Sequence, residues 1–119
     1  MNFQISDSEL EGGAQLVELG GEVDLYTAPQ LKERLAAAID AGKTTLVVDL
    51  TKVTFIDSTT LGVLVAAIKR VRPDGGGVGV VCTEPSITRV FEITGLDQMI
   101  PIRASTDDAL AALAASQSD

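Results

Sequence analysis

No histidine and no tryptophan occur in the 119-residue chain, cysteine occurs once, and aromatic residues make up 3% of it. Without histidine, neither a Ser-His-Asp triad nor a histidine-based metal site can be built. The single Cys82 excludes an internal disulfide and a cysteine cluster, and is consistent with a reducing compartment. Three Phe and one Tyr suit a core of Val, Leu, Ile and Ala rather than aromatic stacking platforms. Positive charge is scarce as well: nine basic residues against seventeen acidic ones give a net charge of −8. Such a surface repels phosphate backbones and anionic lipid, so direct nucleic-acid binding and membrane insertion are not expected, whereas a basic partner protein fits. Long apolar runs are missing too. The longest, Leu61 to Ile68, is far too short to cross a bilayer. The opening "MNFQISDSEL" has neither the basic start nor the apolar stretch of a signal peptide. The expectation is a soluble, cytoplasmic protein without a cofactor.

What is present is ordinary for a globular domain, with 45% hydrophobic and 22% charged residues. A chain of this length forms one domain and buries roughly two-thirds of its unfolded surface. The domain is expected over 1–115, with 116–119 as a disordered tail. Phe3 and Ile5 alternate with polar neighbours, as a strand with one wet face does. "SELEGGA" (8–14) is a turn-rich connection, and Gln15 to Val23 is a second strand, which makes the pair a candidate hairpin. A helix follows, with Thr27 as cap, Pro29 in the first turn and Gln30 completing a capping box. Leu31, Leu35, Ala38 and Ile39 form its apolar stripe, and Gly42 ends it. "TLVVDL" (45–50) has the composition of a strand buried on both faces.

Farther on, Leu61, Leu64, Val65, Ile68 and Val71 repeat at helical spacing until "RPDGGG". "VGVVC" (78–82) is another buried strand. "EPSITRVFEITG" (84–95) is a helix punctuated by proline and glycine. "IPI" (100–102) is a short strand that Pro101 confines to an edge or an end. Asp107 to Ala115 is a last helix, with Ala109, Leu110 and Leu113 inward. Strands alternating with helices give the α/β class, a mixed, mostly parallel sheet of about five strands with about four helices.

Two glycine-bearing segments imitate nucleotide sites and fail on context. "AGKTT" (41–45) lacks the glycine of a phosphate loop, since Ala37 stands at its place, and it ends a helix rather than opening one. "GGGVGV" (75–80) leads into a strand and reads as a flexible loop. A phosphate-accepting aspartate at Asp49 fares no better. Receiver domains need an acidic pair after the first strand and a late lysine, and no lysine follows Lys69.

One stretch resists a bland account. "VTFIDSTTLG" (53–62) places Asp57, Ser58, Thr59 and Thr60 in a row where a helix starts. A helix cap explains one of these residues and is worth about 1 kcal/mol. It explains neither the remaining hydroxyls nor Gly62, which costs roughly 1 kcal/mol relative to alanine in a helix. A phosphoryl group on Ser58 would meet unpaired N–H groups and a favourable helix dipole. It would add about −1.5 to −2 charges to one exposed face, and so expel a partner bound there. Gly62 then marks close approach of another chain, or close packing of the helix on its own sheet.

"TLVVDLTKVTFIDSTTLGVLVAAIKRV" (45–71) resembles the signature of the STAS domain, particularly of the bacterial anti-sigma factor antagonists. "GEVDLYTAPQLKERL" (21–35) resembles the same family's second landmark, an acidic strand end leading to a helix. The resemblance implies partner switching in a stress-response or sporulation circuit. The unphosphorylated antagonist binds an anti-sigma factor, itself a serine kinase holding an adenine nucleotide, and so frees a sigma factor. Phosphorylation of Ser58 then breaks the complex, and a metal-dependent serine/threonine phosphatase resets it. The chain is thus a substrate and ligand, not an enzyme. Asp57 positions the acceptor and, with Ser58, Thr59, Thr60 and Gly62, forms the docking surface; Glu22, Asp24 and Thr27 belong to the neighbouring loop. Thr60 stands where many antagonists have glycine. It adds a branched side chain at the point of kinase approach and, with Thr59, another candidate acceptor. The alternative is a non-switching STAS-type interaction subunit, of a lipid-transport ATPase or a sensory scaffold, with Ser58 a plain cap.

Overall fold

The computed structural model describes residues 3–117. Its five-stranded sheet has the order β1-β2-β3-β4-β5. β1 (Phe3–Glu9) and β2 (Gln15–Val23) form the expected hairpin, paired antiparallel from Phe3↔Gly21 to Glu9↔Gln15. β3 (Thr45–Ile56), β4 (Gly77–Val81) and β5 (Ile102–Arg103) add on in parallel. Between and after them run α1 (Ala28–Asp40), α2 (Ser58–Val71), α3 (Pro85–Thr94) and α4 (Thr106–Gln117). Three crossovers that all step the same way across the sheet place α1, α2 and α3 on one face. There Leu31, Leu35, Leu64, Ile68, Ile87 and Phe91 pack on Val17, Leu46, Val48 and Val80. α4 covers part of the other face, where Ala109 and Leu113 meet Val47 and Val81. Alternate residues of β3 therefore point into different cores, which is why "TLVVDL" is apolar nearly throughout.

Several local expectations are corrected. β3 continues past residue 50 to Ile56, pairing with β2 as far as Val23↔Ile56. Register shifts between Glu18 and Gly20 and between Gly21 and Glu22 break the alternation there. Thr51, Lys52, Thr54 and Phe55 are consequently exposed while Val53 and Ile56 are buried, and neither period survives in the sequence. β5 starts after Pro101, whose ring nitrogen has no proton for the ladder, although its carbonyl accepts from Val80 N at 2.9 Å. The capping box on α1 does not form: Thr27 is helical in backbone conformation and makes no side-chain cap bond. At the other end Gly42 (φ +96°) completes a Schellman turn, with Gly42 N donating to Ile39 O at 2.9 Å and Lys43 N to Ala38 O at 3.0 Å. Of the glycine run expected as a flexible loop, Gly75 is exposed, Gly77 begins β4, and Gly76 between them is packed. A Cβ on Gly76 would lie 2.1 Å from the Thr44 carbonyl oxygen. α4 is helical through Gln117, two residues into the expected tail, and Ser118 and Asp119 lie outside the described residues.

Candidate functional site

Because β2 and β3 are parallel and end together at Val23↔Ile56, the two segments that follow them lie side by side at one edge of the sheet. Each segment is a four-residue turn with aspartate first and threonine last: Asp24-Leu25-Tyr26-Thr27 and Asp57-Ser58-Thr59-Thr60. In the first, Asp24 Oδ1 accepts from Tyr26 N at 2.9 Å and Thr27 N at 3.1 Å and lies 3.2 Å from Thr27 Oγ1, which itself accepts from Asp24 N at 2.8 Å. In the second, Asp57 Oδ1 accepts from Thr60 N at 3.2 Å and lies 3.4 Å from Thr60 Oγ1. Both threonine hydroxyls also reach the end of β2. Thr27 Oγ1 donates to the Glu22 carbonyl and Thr60 Oγ1 to the Val23 carbonyl, each at 3.0 Å. These carbonyls lie at the end of the strand, where a buried acceptor needs a donor from elsewhere.

The hydroxyl row thus divides by function. Asp57, in extended conformation (φ −123°, ψ −177°), is the N-cap of α2, and Ser58 is its first helical residue. Ser58 is exposed, and no hydrogen bond holds its hydroxyl among the described residues. The N–H groups of Ser58 and Thr59 belong to the first turn, where the helix itself supplies no acceptor. Thr59 is half-buried. Thr60 is fully buried, so the expectation that it meets a partner or accepts a phosphoryl group is corrected: its side chain faces β2, not solvent. Thr27, 6% exposed, is likewise an interior residue. Glu22 is exposed, while Asp24 and Asp57 are partly so.

Gly62 is exposed, and a Cβ built on it would meet nothing within 4 Å. Packing of the helix on the sheet therefore does not require this glycine. It lies instead in a groove of about 400 Å³ between α1 and α2, lined by Leu25, Ala28, Pro29, Thr59, Gly62 and Val63 among others. Leu25 (62% exposed) and Tyr26 (78%) stand beside it as large apolar groups in solvent, and Phe55 (48%) is exposed near the end of β3. The sequence reading did not single out these three. For Leu25 and Tyr26 the signal was available in "DLYT", an apolar pair before a helix, out of phase with the Leu31–Leu35 stripe. An acidic rim, apolar anchors, a groove and a free hydroxyl make a surface suited to docking and modification. Among the described residues, no helix is long and apolar enough to cross a membrane.

A family model described as the STAS domain matches residues 7–109. The anti-sigma-B factor antagonist of Bacillus subtilis (strain 168) is 36% identical over 107 residues, covering 90% of this chain and 96% of that one. The protein of the same name from Listeria monocytogenes is 37% identical over 103 residues, covering 87% and 90%. The crystal structure of an anti-sigma factor antagonist from Mycobacterium paratuberculosis matches with a TM-score of 0.85 at 32% identity, over 95% of each chain.

Proposed function

The chain belongs to the STAS domain family, and from that premise we propose that it is an anti-sigma factor antagonist switched off by phosphorylation of Ser58. Unmodified, it docks through Leu25, Tyr26 and the groove beside Thr59 and Gly62 on an anti-sigma factor, and a sigma factor is released. The anti-sigma factor is a serine kinase. Its transfer step joins the γ-phosphorus of ATP to Ser58 Oγ, breaks the β–γ anhydride, releases ADP and sends the serine proton to a base on the kinase or to water. The phosphoserine then carries about −1.5 to −2 charges. Placed beside Asp57 and against a partner that itself holds nucleotide phosphates, this charge drives the complex apart by repulsion and by the cost of desolvation. A metal-dependent serine/threonine phosphatase resets the chain by hydrolysing the ester. In this cycle the protein is a cytoplasmic regulatory ligand and a substrate, and catalysis belongs to its partners. One domain over 1–115 carries the whole function.

One observation carries the reading: Ser58 heads α2 with its hydroxyl free because Asp57 does the capping. Phosphorylation therefore costs the helix no cap, and the unpaired N–H groups of the first turn favour an anion there. The non-switching alternative, in a lipid-transport ATPase or sensory scaffold, makes Ser58 the cap, and no observation here favours it.

The test is a paired pull-down from a lysate of the source organism with wild-type and Ser58→Asp baits, read by mass spectrometry. Wild type is expected to retain a kinase-fold regulator and Ser58→Asp to lose it by tenfold or more. Equal retention of the same proteins by both baits overturns the reading.

A further inference from the structure

The two Asp-x-x-Thr turns end on neighbouring carbonyls of one strand, and this sets the distance between what the turns display. The first presents Leu25 and Tyr26, and the second presents Ser58. Among the described residues, one side-chain hydrogen bond joins the first turn of α2 to the end of β2. It runs from Thr60 Oγ1 to the Val23 carbonyl, across 37 positions of sequence. The donor is wholly buried, so water offers no substitute partner. Thr60 N and Oγ1 both approach Asp57 Oδ1, which fixes the cap as well. β-Branching limits the side chain to few rotamers, so the hydroxyl is held ready without further ordering.

We propose that Thr60 is the positioning residue of the switch. Its hydroxyl locks the acceptor turn to the β2–α1 turn, so that Ser58 and the anchors Leu25 and Tyr26 meet a partner as one rigid surface. The inference rests on the reading of Ser58 as the acceptor, but its structural half can be measured with no partner present.

Tyr26 is the one tyrosine of the chain and there is no tryptophan, so intrinsic fluorescence comes from the β2–α1 turn. Full-length Thr60→Val and Thr60→Ser are compared with wild type by tyrosine anisotropy and by amide hydrogen exchange, with Val47 and Val80 as internal references. Thr60→Val is expected to speed exchange at Tyr26 and Thr27 tenfold or more relative to the references and to lower the anisotropy. Thr60→Ser, which keeps the hydroxyl, stays within twofold of wild type. Used as a bait, Thr60→Val retains at least tenfold less of the regulator held by wild type. With that kinase as the enzyme, phosphorylation of Thr60→Val shows a raised KM and an unchanged kcat, which a general loss of folding does not produce.

Proportional acceleration of every amide in Thr60→Val overturns the proposal, as does undiminished retention despite a loosened turn. Should Thr60→Val not fold, Thr60→Ser decides alone: a loosened turn in that variant assigns the effect to the methyl group and overturns the inference. The switch reading fails separately, through equal retention by wild-type and Ser58→Asp baits.

Discussion

The turns at 24–27 and 57–60 share a frame and differ in what they carry. In each, an aspartate oxygen gathers the hydrogen-bond donors of the turn, and the final threonine is buried with its hydroxyl on a carbonyl of β2. Between these fixed points the first turn holds two apolar side chains in solvent, and the second holds one free hydroxyl and one half-buried threonine. The outer positions thus carry the hydrogen bonds, and to the inner ones the proposed function assigns recognition. The same division separates Thr60 from Ser58, which are two positions apart and opposite in burial.

The largest test of this equivalence is removal of the buried hydroxyls. Thr60→Val leaves the buried Val23 carbonyl unpaired, and Thr27→Val takes the partner from the part-buried Glu22 carbonyl and from Asp24 N, each change costing about 1–3 kcal/mol. Urea unfolding should place Thr60→Val toward the upper end although Thr27 makes more hydrogen bonds, because the Thr60–Val23 bond is buried and water can reach the groups that Thr27 leaves. A smaller cost at Thr60 than at Thr27 breaks the comparison. Next come the aspartates. Asp24→Ala and Asp57→Ala are each expected to cost about 0.5–2 kcal/mol, measured by thermal unfolding. Asp24→Ala should be the more costly, since Asp24 Oδ1 accepts from two backbone N–H groups and Asp57 Oδ1 from one.

A third change separates stability from recognition. Gly62→Ala meets no neighbour within 4 Å, so it should stabilise α2 by up to about 1 kcal/mol while its methyl group narrows the groove and weakens partner capture. Leu25→Ser should leave stability within about 0.5 kcal/mol and also weaken capture. A rise in melting temperature together with undiminished capture would remove Gly62 from the docking surface. The smallest expected effect lies away from both turns. Lys43, by a hydrogen bond and by its charge, holds the Glu9 carboxyl below its ordinary value of 4.5. A lowered folded-state pKa contributes stability above the ordinary value, and that contribution is lost as the pH falls through the lowered one. The difference between wild type and Glu9→Gln should therefore be present at neutral pH and vanish in strong acid, and the exposure of the pair keeps it slight.

Legibility in the sequence followed the range of the interactions. β2 was read to its observed ends, because the turn-rich segment 8–14 precedes it and the helix signal from Thr27 follows it. α3 was legible from Pro85 and Gly95, which act within one turn of the helix. The second half of β3 was not, because the register shifts against β2 remove the alternation that identifies a strand. At the site, Asp57 and Ser58 could be placed at a helix mouth from local chemistry alone. Thr60 could not be told from its neighbours, since its partner carbonyl lies 37 residues earlier and only the parallel pairing of β2 with β3 brings it near. The anchors Leu25 and Tyr26 escaped notice for the opposite reason. Their side chains stand in solvent and lie outside the buried stripe of α1, so no periodic pattern includes them.

In the strand order β1-β2-β3-β4-β5, every strand adjoins the one made just before it. During synthesis each new strand can add to an edge already formed, without waiting for a distant segment or displacing an earlier pairing. Both turns of the proposed docking surface precede β4 in the chain and leave the ribosome before it. Val47 and Val81 are covered only when the 12 residues of α4 follow. The nascent chain would therefore acquire its means of recognition early and its protection against aggregation late, which places the hazard of its biogenesis on the sheet face opposite α2.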